Sequence, residues 1–253
     1  MNIEKVLKYI IWIGLVAIPF TPLIIDGSYF FPFIVPKTTI FKIIVEIIFL
    51  AFLGLAVAKK EYRHKINLVL ILSFLYIIIV SLSSFLADTF YFSFWSNNER
   101  SEGILLLLHL FAYLFVLSGF LRKLKDWLFL FEVSFFSSLL VSLIGLGQYL
   151  GTDWVVASSG GSRITATIGN AGYVAGYLIF NIFFGLLLIF FRKNKYLHLY
   201  YILGIFLQIF LKDVCQIFPQ SRIGLPILCH ISMDFCFCLN NVHSGLNHIV
   251  LGF

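Results

Sequence analysis

Apolar runs long enough to cross a bilayer recur along this chain, near residues 7–25, 38–58, 66–87, 104–121, 127–150, 171–191 and 199–211. A membrane-spanning helix needs about 20 mostly apolar residues, whereas a barrel strand needs only about 9–11. Lipid offers the backbone no hydrogen-bond partner, so runs of this length are expected to be helices. The fold class expected is all-α: a polytopic transmembrane helical bundle of about seven spans. The charge content agrees, because 12% charged residues among 60% hydrophobic ones is half the roughly 25% of a soluble domain. The abundance of Phe reads as compositional bias and carries no functional meaning. The first run follows Glu4, Lys5 and Lys8, contains Pro19 and Pro22, and precedes no small-residue cleavage site. It is therefore expected to be a retained span and not a signal peptide.

The formal net charge is +6, and its distribution indicates a membrane and no nucleic acid. The amino terminus (Lys5, Lys8) and the second, fourth and sixth connections are short and basic. Those connections carry Lys59, Lys60, Arg63 and Lys65, then Arg122, Lys123 and Lys125, then Arg192, Lys193 and Lys195. The positive-inside rule puts all four on the cytoplasmic side, amino terminus included. The other connections, 26–37, 88–103 and 151–170, are longer and hold one basic residue each: Lys37, Arg100 and Arg163. Tyr91, Phe94, Trp95 and Trp154 suit an interfacial aromatic belt. Any chemistry is expected on this outer face, because long loops carry function more often than short connectors.

A few polar residues break the apolar pattern. Lys42 and Glu46 lie one helical turn apart, on one face; they read either as a structural pair, with Lys42 snorkelling, or as a substrate site. His109 interrupts an apolar run and reads as a partner for a neighbouring helix or as a substrate or proton site. Glu132, Gln148 and Asn181 carry the structural reading. Arg100 and Arg163 each precede a span on the outer side. A guanidinium matches phosphate oxygens bidentately and keeps its charge; from spacing alone, that role and ordinary loop salt bridging are equally open. Asn170 precedes the sixth span as an N-cap candidate. No phosphate loop, zinc pattern or nucleophile elbow occurs.

Three passages resemble the bacterial O-antigen ligase and polymerase family. FFPFIVPKTTIFKIIVEIIFL (30–50) is similar to its first outer loop and second span. FWSNNERSEGILLLLHLFAYLF (94–115) is similar to its Trp…Glu-Arg-x-x-Gly loop and the span with an early His. SRITATIGNAGYVAGYL (162–178) is similar to its Arg-x-x-x-Thr-x-Gly-Asn element. The resemblance covers about residues 1–211. It implies a multi-pass protein of the inner (plasma) membrane that acts in lipopolysaccharide or other surface-polysaccharide assembly. Its substrate would be a glycan linked to undecaprenyl diphosphate, presented on the outer face. It further implies that Arg100, Arg163 and, in Gln220-Ser221-Arg222, Arg222 bind the diphosphate. Lys42, Glu46, His109 and Asn170 would support them. The reaction implied is glycosyl transfer with no cofactor and no metal, because guanidinium groups take the charge that develops on the leaving diphosphate. The catalytic base, the glycan and its acceptor stay open, as does ligase against polymerase. The alternative function is a transporter or flippase for a lipid-linked or anionic solute.

Residues 212–253 differ from the rest. Cys215, Cys229, Cys236, Cys238 and three of the six His lie there, and Pro226, His230 and Asp234 spoil a clean span. The cysteine spacing matches no standard zinc pattern. The expectation is a boundary at 211/212, with an out-of-frame or truncated end after it and a first part that is inactive alone.

Overall fold

The computed structural model describes residues 3–64, 67–86, 89–96, 103–152 and 163–217, and all of its regular structure there is helical. In chain order these are α1 (Ile3–Ala17), α2 (Val35–Ala58), α3 (Leu68–Phe85), the short α4 (Phe90–Trp95), α5 (Ile104–Phe120), α6 (Leu124–Tyr149), α7 (Ala171–Phe191) and α8 (Lys195–Ile217). Among the described residues six helical segments are long and apolar enough to cross a membrane, and α5 is a shorter apolar helix of 17 residues. At about 1.5 Å per residue α5 spans about 25 Å, the lower end of what a bilayer requires. The chain is thus an all-α, polytopic membrane bundle.

Sequence chemistry accounts for the element boundaries. α1 passes into a 3-10 segment over Ile18–Leu23, because Pro19 and Pro22 lack the N–H that the α-ladder needs. Pro36 enters α2 in its first turn, where the missing N–H costs nothing. Asn67 caps α3 by accepting from the Leu70 amide at 2.8 Å. Asn194 accepts from the Tyr196 amide at 3.0 Å, so α8 begins at Lys195 and not near 199. At its other end α8 continues to Ile217, past the expected boundary at 211/212. Lys212 and Asp213 form an ion pair at 3.1 Å within it, which lowers the cost of two charges in an apolar helix. Residues 218–253, with Arg222, lie outside the described residues.

The chain divides into two compact units, residues 1–141 with 167–169, and residues 142–166 with 170–253. In the first, Ile11, Leu15, Val45, Ile48, Phe52, Leu55 and Val116 are almost wholly buried where α1, α2 and α5 pack. Gly14 permits this closeness, because a Cβ there would overlap the Ile48 side chain. Ser137 Oγ donates to the Pro19 carbonyl at 2.6 Å, one acceptor released by the proline-broken ladder. In the second unit α7 packs along α8, with Leu178, Leu188, Tyr201 and Ile205 in the core. The outward faces of these helices are apolar as well. On α3, Leu72, Leu75, Ile79 and Leu82 are exposed while only Leu70, Ile77 and Ser84 are buried. A helix apolar all round with so little protein against it has lipid as its solvent.

Candidate functional site

The connection before α2 and residues 167–169 of the connection before α7 meet in the first unit. Lys37, at the start of α2, donates from Nζ to the Thr167 carbonyl. Gly169 turns the chain with φ +85° and sits against Phe33; a Cβ there would lie 2.6 Å from the Phe33 Cβ. Glycine is needed twice over, for the left-handed backbone and for the contact. Asp26 anchors the other end of the first outer loop by accepting from the Ser28 amide at 2.9 Å and its hydroxyl at 2.7 Å. Those bonds hold the Asp26 carboxyl below its usual pKa range.

In the second unit, Gln148 organises residues 164–166. Its Oε1 accepts from the Thr165 and Ala166 amides at 3.2 and 2.8 Å, and its Nε2 donates to the Ala166 carbonyl at 3.2 Å. Ile164, Thr165 and Ala166 are buried, and Ala166 has φ +44°. One side-chain amide thus satisfies three backbone groups of an irregular, buried strip. Cys215 of α8 adds an S–H bond to the Ile164 carbonyl at 3.4 Å. Arg163 is exposed at the edge of this strip. Asn170, also exposed, caps α7 by accepting from the Gly172 amide at 2.8 Å and the Tyr173 amide at 3.4 Å.

Glu46 pairs across helices. His109 Nε2 lies 3.0 Å from Glu46 Oε1, and His109 Nδ1 lies 2.7 Å from the Leu105 carbonyl. Among the described residues Lys42 and Glu46 form no ion pair; the partner of Glu46 comes instead from α5, across the α2–α5 interface. Both imidazole nitrogens face acceptors, so the pair needs two protons between them. Imidazolium with carboxylate and imidazole with carboxylic acid both satisfy that count. Glu46 lies twelve residues before Ala58, and His109 eleven before Phe120. Both positions are about 17 Å from the basic end of their helices, near the middle of a hydrocarbon layer about 30 Å thick. The Glu46 side chain is 63% exposed and that of His109 only 11%.

The described candidate residues divide between the two units. Arg163 and Asn170 belong to the second unit, at either end of the turn that precedes α7, while Glu46, His109 and Lys42 belong to the first, with Lys42 one turn before Glu46 on α2. Arg100 and Arg222 lie outside the described residues. Lys37 joins the connection before α2 to the one before α7, and Gln148, read from the sequence as structural, holds the strip at 164–166. The readable signal was a lone Lys beside a Pro at a span's start, and a Gln at the end of the span before an irregular loop. Among the described residues no three His, Cys, Asp or Glu side chains gather as a metal site. No family model, no characterised protein and no solved structure matches this chain.

Proposed function

We propose that this chain is an O-antigen ligase-like protein that handles a glycan carried on undecaprenyl diphosphate at the outer face of a bacterial inner membrane. The observation that carries this reading is the Lys37–Thr167 bond together with the Gly169–Phe33 contact. Two of the three passages that resemble the family, 30–50 and 162–178, touch although some 130 residues separate them. In transfer, an acceptor hydroxyl attacks the anomeric carbon, its proton passes to a base, and the bond to the diphosphate breaks with the electron pair leaving on oxygen. A cation beside that oxygen lowers the barrier. Arg163, exposed and four residues before Thr167 in the chain, is the described residue assigned to the diphosphate, alongside Arg100 and Arg222. The test is binding of undecaprenyl diphosphate against the monophosphate, by native mass spectrometry of the chain in nanodiscs. Preference for the diphosphate, reduced tenfold by Arg163→Ala, is expected. Equal binding of both lipids, unchanged by the substitution, would contradict it.

A second reading is a proton-coupled transporter for an anionic or lipid-linked solute. The Glu46–His109 pair favours it, being a protonatable pair at mid-helix depth. Proton-driven solute uptake into liposomes that is abolished by His109→Leu would establish this reading in place of the first.

A further inference from the structure

The basic end of the first unit holds a cavity of about 400 Å³ that neither reading uses. Three chain segments far apart in sequence build it: α1 at Lys8 and Trp12, the turn after α2 at Glu61 and Tyr62, and the stretch from the end of α5 into the first turn of α6. Four cations line it, Lys8, Arg122, Lys123 and Lys125, against two carboxylates, Glu61 and Asp126. Its floor is aromatic, from Trp12, Tyr62 and the buried Phe120.

Arg122 is held in place without being neutralised. Its Nε donates to the Gly119 carbonyl at 3.1 Å and its Nη2 to the Arg63 carbonyl at 3.2 Å. Carbonyls orient a guanidinium but bring no opposite charge, and its other N–H groups stay open to an outside acceptor. The Tyr62 ring lies under both Arg122, at 5.7 Å, and Lys8, at 5.0 Å. Glu4 takes up part of the Lys8 charge at 2.6 Å, while Lys123 before α6 and Lys125 in its first turn are exposed. Apolar side chains adjoin the lining residues: Tyr9 and Ile13, next to Lys8 and Trp12 on α1, are strongly exposed, and the exposed Phe129 of α6 packs edge-on against Trp12 at 5.9 Å.

We propose that this cavity binds the phosphate of an anionic phospholipid of the cytoplasmic leaflet, with the acyl chains lying along Ile13 and Phe129. The cations match a phosphate, and the apolar flank distinguishes a lipid from a free anion. Basic pockets between helices at this level suit such headgroups.

The test uses the full chain in nanodiscs of phosphatidylcholine with added phosphatidylglycerol, reading retained lipid by native mass spectrometry. The double variant Lys123→Ala/Lys125→Ala removes two cavity charges. Lys5→Ala/Lys60→Ala removes two from the same face outside the cavity. All four side chains are exposed, so the fold is retained in both. The expected result is retention of phosphatidylglycerol at least tenfold over phosphatidylcholine. The cavity variant should lower it at least fivefold and the control less than twofold. Equal losses in the two variants would mean diffuse surface attraction and overturn the proposal. Displacement of the lipid by millimolar inorganic phosphate would overturn it in favour of a soluble anion.

Discussion

Replacing Gln148 by Met keeps the side chain's length and removes all three of its bonds to residues 165 and 166. Two amides and a carbonyl then lose their partner in a strip where Thr165 and Ala166 are each 1% exposed. An orphaned buried polar group costs about 1–3 kcal/mol. Partial relaxation of the loop brings the sum to about 3–5 kcal/mol, a large part of the roughly 5–15 kcal/mol that holds a domain together. Ala166 adds to the effect, because its left-handed backbone costs about 1–2 kcal/mol and persists only while surrounding bonds enforce it. Hydrogen exchange over residues 163–169 in detergent reads the local opening directly. At 1.36 kcal/mol per tenfold, Gln148→Met should lose protection by roughly a hundredfold or more in this segment. Gln148→Glu, which keeps the acceptor but not the donor, should fall between. Loss of less than threefold in Gln148→Met would refute the claim that this amide holds the strip.

Three other substitutions probe the remaining parts. Gly169→Ala combines a φ of +85° with a Cβ against Phe33, and should destabilise by about 2 kcal/mol or more, read as a lower thermal midpoint. A double-mutant cycle on Glu46→Leu and His109→Leu should give a coupling of about 1–2 kcal/mol, the range of interhelical polar contacts in membranes; a coupling near zero would deny the pair. His64 donates to the Phe115 carbonyl at 2.8 Å between the Phe52 and Phe115 rings. Burial depresses its pKa below the ordinary 6.5, the Phe115 carbonyl opposes that shift, and nearby Arg122 adds to it. Its contribution to stability is therefore complete above pH 6.5 and declines as pH falls through the depressed value. Thermal midpoints should drop on acidification, and His64→Gln should flatten that part of the profile.

The spans were legible because twenty apolar residues admit few other solutions, but the 3-10 segment that Pro19 and Pro22 force after α1 was not, since the first run reads as one span over 7–25. Nor were the ends of α8. Lys195 and the Lys212–Asp213 pair look like loop chemistry, yet the Asn194 cap and an ion pair keep them helical. His109 reads as a partner for a neighbouring helix and is one, but that its partner is Glu46 could not be read, because helical spacing offers Lys42 while the contact spans 63 positions. Gln148 looked like an isolated polar residue in an apolar run; its purpose depends on a backbone turn that only the tertiary structure reveals.

The sidedness expected from the basic connections carries the whole account, and it can be measured directly. In a bacterial host, single cysteines at Ser28 and Arg163, in the long connections, and at Lys60 and Lys123, in the short basic ones, are introduced into a chain whose native cysteines are changed to Ser. Intact cells are then treated with a membrane-impermeant maleimide. Labelling at 28 and 163 in intact cells, with 60 and 123 reacting only after permeabilisation, is the predicted result. Labelling of 60 and 123 from outside would invert the bundle and remove the outer-face glycan reading with it.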